Sequence, residues 1–276
     1  MTTPYGCPES DLFHYTCLRT ERPPAIDGRL DQPCWKAAVK SPRFVDLVTG
    51  KAGFFDTRMA ALWDDRCFYA AYWLEEPDVR ARLQDRDAFI WTENDAELFI
   101  AGPDGYYEFQ VNALGTIYEV FYIWQAAHTK GGFFDRPEFD LHARRVDVIG
   151  GFQDAGRHGR HPRGKRWAFM DWDFPGLRWA VHVDGTLNDD RDIDRGWTVE
   201  LAFPWTGMEC LAQGRALPPK PGDVWRMDFS RFEALNSGGS RIQPDPGWAL
   251  NKHGVYDSHI PECFSFIHFS GKAADR

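Results

Sequence analysis

Nothing in this 276-residue chain approaches the roughly 18 to 20 consecutive apolar residues that a membrane-spanning helix needs. The longest candidate run, Val120 to Ala127, stops at His128. Basic residues are in deficit, 32 Lys and Arg against 41 Asp and Glu, for a net charge of −9. Without a concentrated basic face, neither nucleic acid nor an anionic lipid surface is expected as a partner. One basic stretch, Arg157 to Arg166, lies among glycines and reads as a solvated loop. The six cysteines (Cys7, Cys17, Cys34, Cys67, Cys210, Cys263) form no CxxC and no zinc-finger spacing, so no disulfide framework is expected. Cys67 and Cys263 sit in apolar segments and read as small buried hydrophobes. GxGxxG, P-loop, HExxH and nucleophile-elbow motifs are all missing, which leaves no nucleotide cofactor in view. Residues 1–11 have neither a basic nor an apolar signal region. As it stands the chain reads as cytoplasmic, or as secreted or periplasmic if a signal has been removed.

Aromatic residues are abundant: 12 Trp, 21 Phe and 9 Tyr, 15% of the chain, a composition that favours strands and flat binding faces. Amphipathic helical runs are nearly absent. Apolar alternation marks a hairpin, Thr57 to Trp63 and Cys67 to Leu74, around the turn Asp64-Asp65-Arg66. Three further strands follow at Ala96 to Ala101, Tyr106 to Ala113 and Thr116 to Ile123, then others at Leu177 to Asp184, Gly196 to Phe203, Val224 to Phe232 and Phe264 to Phe269. Asp31 before Pro33 suits the start of one helical turn that buries Trp35. Residues 124–176 keep no period and read as a long irregular insertion. The whole implies an irregular arm over residues 1–24 and a single all-β domain over 25–276, an antiparallel β-sandwich of about ten short strands.

Several segments, in order, resemble the family 9 carbohydrate-binding modules. They are Ile26-Asp-Gly-Arg-Leu-Asp-Gln-Pro-Cys-Trp35, Leu62-Trp-Asp-Asp-Arg-Cys-Phe-Tyr-Ala70, Trp91-Thr-Glu-Asn-Asp-Ala-Glu-Leu-Phe-Ile100, Tyr107-Glu-Phe-Gln-Val-Asn112, Gly196-Trp-Thr-Val-Glu-Leu-Ala-Phe-Pro-Trp205 and Pro221-Gly-Asp-Val-Trp-Arg226. The resemblance is to the standalone branch of that family. It implies a β-sandwich that clamps a sugar between two tryptophans while strand side chains bind its hydroxyls. Trp91 matches the first tryptophan, Glu97 the acidic acceptor, Gln110 and Asn112 the paired polar positions, and Trp248 the second tryptophan. Gln110 stands where the family pattern has arginine, and so lacks that residue's fixed fork and charge.

The residues support the same chemistry by themselves. A pyranose presents C–H faces and a rim of hydroxyls, so its site needs flat aromatic walls and coplanar polar groups. Alternation puts Glu108, Gln110 and Asn112 on one face of a strand, and Asp95, Glu97 and Phe99 together on another. Trp35, Trp63, Trp73, Trp197, Trp205 and Trp225 read as core. The acidic run containing Asp184, Asn188, Asp190, Asp192 and Asp194 has oxygen donors at alternate positions, suited to a structural Ca²⁺, and the resemblance points the same way. A carbohydrate-active enzyme of hydrolase or lyase type is the alternative, with His253, Asp257, His259 and Glu262 as its acid–base candidates over the same cleft. A haem-binding relative would need an axial Met and His, and neither Met59 nor Met170 is suitably placed.

Overall fold

The computed structural model describes residues 7–150, 161–237 and 240–274. Its strands, in chain order, are β1 (His14–Arg19), β2 (Val45–Asp46), β3 (Thr57–Trp63), β4 (Cys67–Glu75), β5 (Asp95–Ala101), β6 (Gly105–Val111), β7 (Ile117–Trp124) and β8 (Val146–Ile149). They continue with β9 (Arg166–Phe169), β10 (Arg178–Asp184), β11 (Gly196–Pro204), β12 (Val224–Phe232), β13 (Asn236–Ser237), β14 (Ser240–Arg241), β15 (Gly247–Ala249) and β16 (Ser265–Ala273). Fourteen of them join one sheet, ordered β10-β11-β4-β3-β1-β16-β12-β5-β6-β7-β9-β8, with β15 and β2 attached beside β12, while β13 and β14 pair separately. Helix is confined to single turns such as Pro33–Ala37, where Pro33 supplies the fixed φ of a first helical position and Trp35 is buried. Gln32, not Asp31, is the residue before that turn.

The sheet folds back on itself. Phe203 of β11 packs on Phe109 of β6 with ring centroids 6.0 Å apart, and the Tyr72 hydroxyl of β4 donates to the Glu97 carbonyl of β5 at 2.5 Å. These strands are far apart in sheet order, so their halves enclose one core. Alternation assigns the faces: Ala96, Leu98 and Ile100 of β5 and Tyr107, Phe109 and Val111 of β6 enter that shared core. The opposite face, with Phe99, Tyr106, Tyr118 and Tyr122, belongs to a separate cluster closed by Phe264.

Four expectations need correction. The arm over residues 1–24 is not wholly irregular, because β1 lies inside the sheet, parallel to both β3 and β16, and makes the sheet mixed. The region 124–176 contributes β8 and β9 to the sheet, and Phe134, Phe139, Phe169 and Trp172 to the main core. Cys263 is no lone hydrophobe, since it is disulfide-bonded to Cys7. The basic stretch falls partly outside the described residues, but Arg166 is fully buried: its guanidinium lies 4.8 Å from the Trp124 ring centroid and Nε donates to the Tyr106 hydroxyl at 3.0 Å.

Candidate functional site

Strand register places one polar row across four strands on the outer face: Ser230 of β12 opposite Glu97 of β5, Glu97 opposite Gln110 of β6, and Gln110 opposite Tyr118 of β7. Glu108, two residues from Gln110, shares that face. Polar side chains in strands otherwise so apolar are the informative exception. The row lies beneath a cleft of about 430 Å³. Trp91 lines the rim on a single turn, Ile90–Thr92, whose Ile90 is buried and pins it while Trp91 stays 50% exposed. Phe89 lies beside it with ring centroids 5.8 Å apart. The C-terminal loop supplies Tyr256, whose hydroxyl donates to the Asp245 carbonyl at 2.6 Å.

Gln110 bridges the two floor carboxylates. Its amide nitrogen donates to Glu97 Oε1 at 3.0 Å and to Glu108 Oε1 at 2.7 Å. Ser230 donates to Glu97 Oε2 at 2.9 Å and Tyr122 to Glu108 Oε2 at 2.6 Å. Both donors of the Gln110 amide are therefore spent, and its Oε1 is buried with no partner among the described residues. Burial drives both carboxyls upward, Glu108 to about 7 against the donated hydrogen bonds, and Glu97 well above the usual carboxylate range with Asp95 and Glu108 adding repulsion. His259, also in the lining, is pushed down to about 3 by burial and by Arg166, so it is neutral. Its Nδ1 is 3.1 Å from the Tyr106 hydroxyl, which already accepts from Arg166; a proton donated by Tyr106 leaves Nε2 as the protonated ring nitrogen.

Of the residues expected to bind, Trp91, Glu97 and Gln110 meet in this cleft. Asn112 does not, because it lies past the end of β6 and works as a turn clamp. Its Oδ1 accepts from the backbone of Leu114 and Thr116, and its Nδ2 donates to the Leu83 carbonyl and Glu93. Trp248 is core and not a cleft wall: it is 1% exposed, lies against Phe54 and Phe55, and its indole N–H donates to Thr57 Oγ1 at 2.9 Å. Glu108, Tyr122 and Tyr256 also line the cleft, and sequence reasoning did not single them out. For Glu108 the signal was present, since it shares the Gln110 face by alternation. For Tyr256 there was none, because a loop carries no period.

The four acid–base candidates divide. Asp257 and His259 line the cleft. His253 is fully buried, with Nδ1 2.8 Å from the Asp257 carbonyl and Nε2 3.4 Å from Asp228, and Glu262 pairs with His161 at 3.2 Å. Neither of the latter two lines the cleft.

The acidic run does not fit a calcium site. Both Asp194 oxygens accept backbone N–H groups, from Thr186 at 2.6 Å and Val79 at 2.7 Å, and the Asn188 amide is used on both backbone groups of Ala81. Asp192 accepts from Thr186 Oγ1, while Asp190 and Asp184 face Arg80 and Arg195. The run is a clip between two loops, and no group of three or more metal-ligating side chains occurs among the described residues.

A second cleft, about 640 Å³, opens beside β4, β10 and β11. It includes Trp73, half-buried and not core, with the Lys40 ammonium 3.8 Å from its ring centroid.

A folded-back, mostly antiparallel sheet with an aromatic-rimmed polar cleft defines the class: the chain has the fold of the family 9 carbohydrate-binding modules. It is similar to a Bacteroides uniformis structure described as a "putative carbohydrate-binding protein", with a TM-score of 0.59 at 13% identity, over 94% of this chain and 99% of that one. It is also similar to a family 9 carbohydrate-binding module from Caldicellulosiruptor kristjanssonii in complex with cellotriose, with a TM-score of 0.50 at 12% identity, over 94% and 95% of the two chains. No protein-family profile and no curated protein sequence matches the chain.

Proposed function

We propose that this protein binds a saccharide in the cleft over Glu97, Glu108 and Gln110, with Trp91 as one aromatic wall and Tyr256 as the other. The observation that supports this most is the combination of a half-exposed tryptophan with a floor whose Gln110 oxygen is buried and unpaired. A buried acceptor without a partner costs free energy that a ligand hydroxyl would recover. The fold is shared with a module solved in complex with cellotriose, which agrees with this reading. Each aromatic face contributes on the order of 0.5 to 1.5 kcal/mol and each hydroxyl hydrogen bond about as much, so the expected affinity for a short sugar is roughly micromolar to millimolar.

We also propose an oxidising setting, the secreted or periplasmic alternative, because the Cys7–Cys263 bond persists only where thiols are not kept reduced. Calcium has no place in this reading, its candidate donors being committed elsewhere.

Calorimetric titration against mono- and oligosaccharides, with each mixture then analysed for products, tests the proposal. Saturable heat whose affinity falls by up to about tenfold in Trp91→Ala, with the sugar recovered unchanged, is the expected outcome. Altered sugar would transfer the cleft to an enzyme acting through Asp257 and His259, and heat unaffected by Trp91→Ala would place binding elsewhere.

A further inference from the structure

The cleft floor is rich in acceptors, and the donors of Gln110, Ser230 and Tyr122 are spent on them. The carboxyl groups of Glu97 and Glu108 each accept two protein hydrogen bonds and, once ionised, keep about two lone-pair positions apiece for a ligand. Gln110 adds its unpaired Oε1, and Asp257 a further carboxylate in the lining. The donors of Gln110, Ser230 and Tyr122 are directed inward to these groups, while neutral His259 keeps its Nε2–H and Ser258 its hydroxyl in the lining.

Charge is one-sided in the same way. No Lys or Arg lines this cleft among the described residues. Asp245 is the one lining carboxylate with an ion-pair partner there, Arg241, whereas Glu97 and Glu108 have none. Arg166, a buried cation beside His259, is turned to the Tyr106 hydroxyl and the His259 carbonyl. The chain's overall negative charge does not explain this, because the second cleft sets Arg29, Lys40, Arg58 and Arg195 against Asp31, Asp56, Glu75 and Asp184. Two buried carboxyl groups held 2.7 and 3.0 Å from one amide nitrogen, without a counter-charge and raised by burial toward the protonated form while the cleft is empty, form a site that a cation bearing several N–H donors completes by displacing their protons.

Resting on the saccharide-binding reading, we infer that the preferred ligand is an amino sugar, a pyranose unit whose ammonium group sits over Glu97, Glu108 and Gln110 while its ring lies against Trp91. Uronic acids and sulfated or phosphorylated sugars bring a negative charge to a lining that, among the described residues, has no Lys or Arg to receive it. A neutral sugar is accepted through hydroxyl donors alone, each roughly half as strong as a charge-assisted bond.

The test is a titration at pH 7 with glucose, glucosamine and glucuronic acid, each also as a β-1,4-linked disaccharide, and with ethanolamine as an ammonium without a ring. The expected result is glucosamine bound about tenfold tighter than glucose, weakening as salt is raised, with glucuronic acid and ethanolamine giving no saturable heat. Glu108→Gln, checked for folding by circular dichroism, should bring the glucosamine-to-glucose ratio close to one, and Asp257→Asn offers a second reading if Glu108→Gln does not fold. Glucose binding as tightly as glucosamine would overturn the amino-sugar inference and leave saccharide binding standing. Ethanolamine binding as well as glucosamine would overturn it too, by showing an ammonium site indifferent to the ring. No heat from any sugar would instead overturn the saccharide reading on which it rests.

Discussion

Replacing Glu108 by glutamine should flatten the dependence of stability on pH, and the size of the change follows from where this carboxyl is held. Burial raises it from about 4.5 to about 7, despite the hydrogen bonds from Tyr122 and Gln110. Between those values the folded protein holds a proton that the unfolded chain has released, so folding stability falls as pH rises across that window. Below about pH 4.5 the contribution is fully present, and above about 7 it is gone. A rise of that size corresponds to on the order of 3 kcal/mol for this one group. Glu119, also raised to about 7, and Glu233, raised to about 8, act in the same direction. Urea unfolding of the natural protein should therefore give a lower free energy at pH 8 than at pH 5. In Glu108→Gln the same difference should shrink by on the order of 2 to 3 kcal/mol. A natural protein that gains stability between pH 5 and pH 8, or a variant that keeps the full slope, would mean that Glu108 is not held protonated by burial.

Trp91→Ala should weaken sugar binding by about tenfold at most, and change unfolding free energy by less than about 0.5 kcal/mol because the ring is half exposed, both read by calorimetry and urea unfolding. Trp248→Ala should do the reverse, costing about 3 to 5 kcal/mol of stability as a buried aromatic lost from the core, with sugar affinity per folded molecule retained. Asp194→Ala should cost about 2 to 3 kcal/mol through loss of two charge-assisted backbone hydrogen bonds, and neither Ca²⁺ nor a chelator should shift the Tm of the natural protein. Thiol titration of the unfolded, unreduced chain should count four cysteines, rising to six after reduction; six at the outset would contradict the Cys7–Cys263 bond.

Local periodicity made much of the fold legible. The spans Thr57–Trp63 and Val224–Phe232 end where the alternation ends, because β4 pairs the first along its whole length and β16 and β5 between them pair the second. What escaped depends on distant partners. β1 is six residues long and pairs with β16, some 250 residues away, so nothing beside it in the chain marks it as an interior strand. The disulfide joins residues separated by 256 positions for the same reason. Arg166 looked solvated because its run is polar, but Trp124 and Tyr106 make it a place for a guanidinium.

The site divides along the same line. Glu97 and Gln110 were readable because a strand repeats every two residues. Trp91 and Trp248 are chemically alike, and what separates them is that Gly53, Phe54 and Phe55 close over Trp248. A Cβ on Gly53 would meet that indole at 2.7 Å. Asn112 has the right parity but falls just beyond Val111, where the chain turns and spends the amide on itself.

A crystal structure of the protein with its tightest-binding sugar shows whether the cleft above the Glu97–Gln110 row is where the sugar sits. The expected complex has the sugar ring against Trp91, with donors from the ligand within hydrogen-bond distance of Gln110 Oε1 and the Glu97 and Glu108 carboxyl groups. A sugar bound in the second cleft on Trp73, with the Glu97–Gln110 row left to solvent, would contradict it.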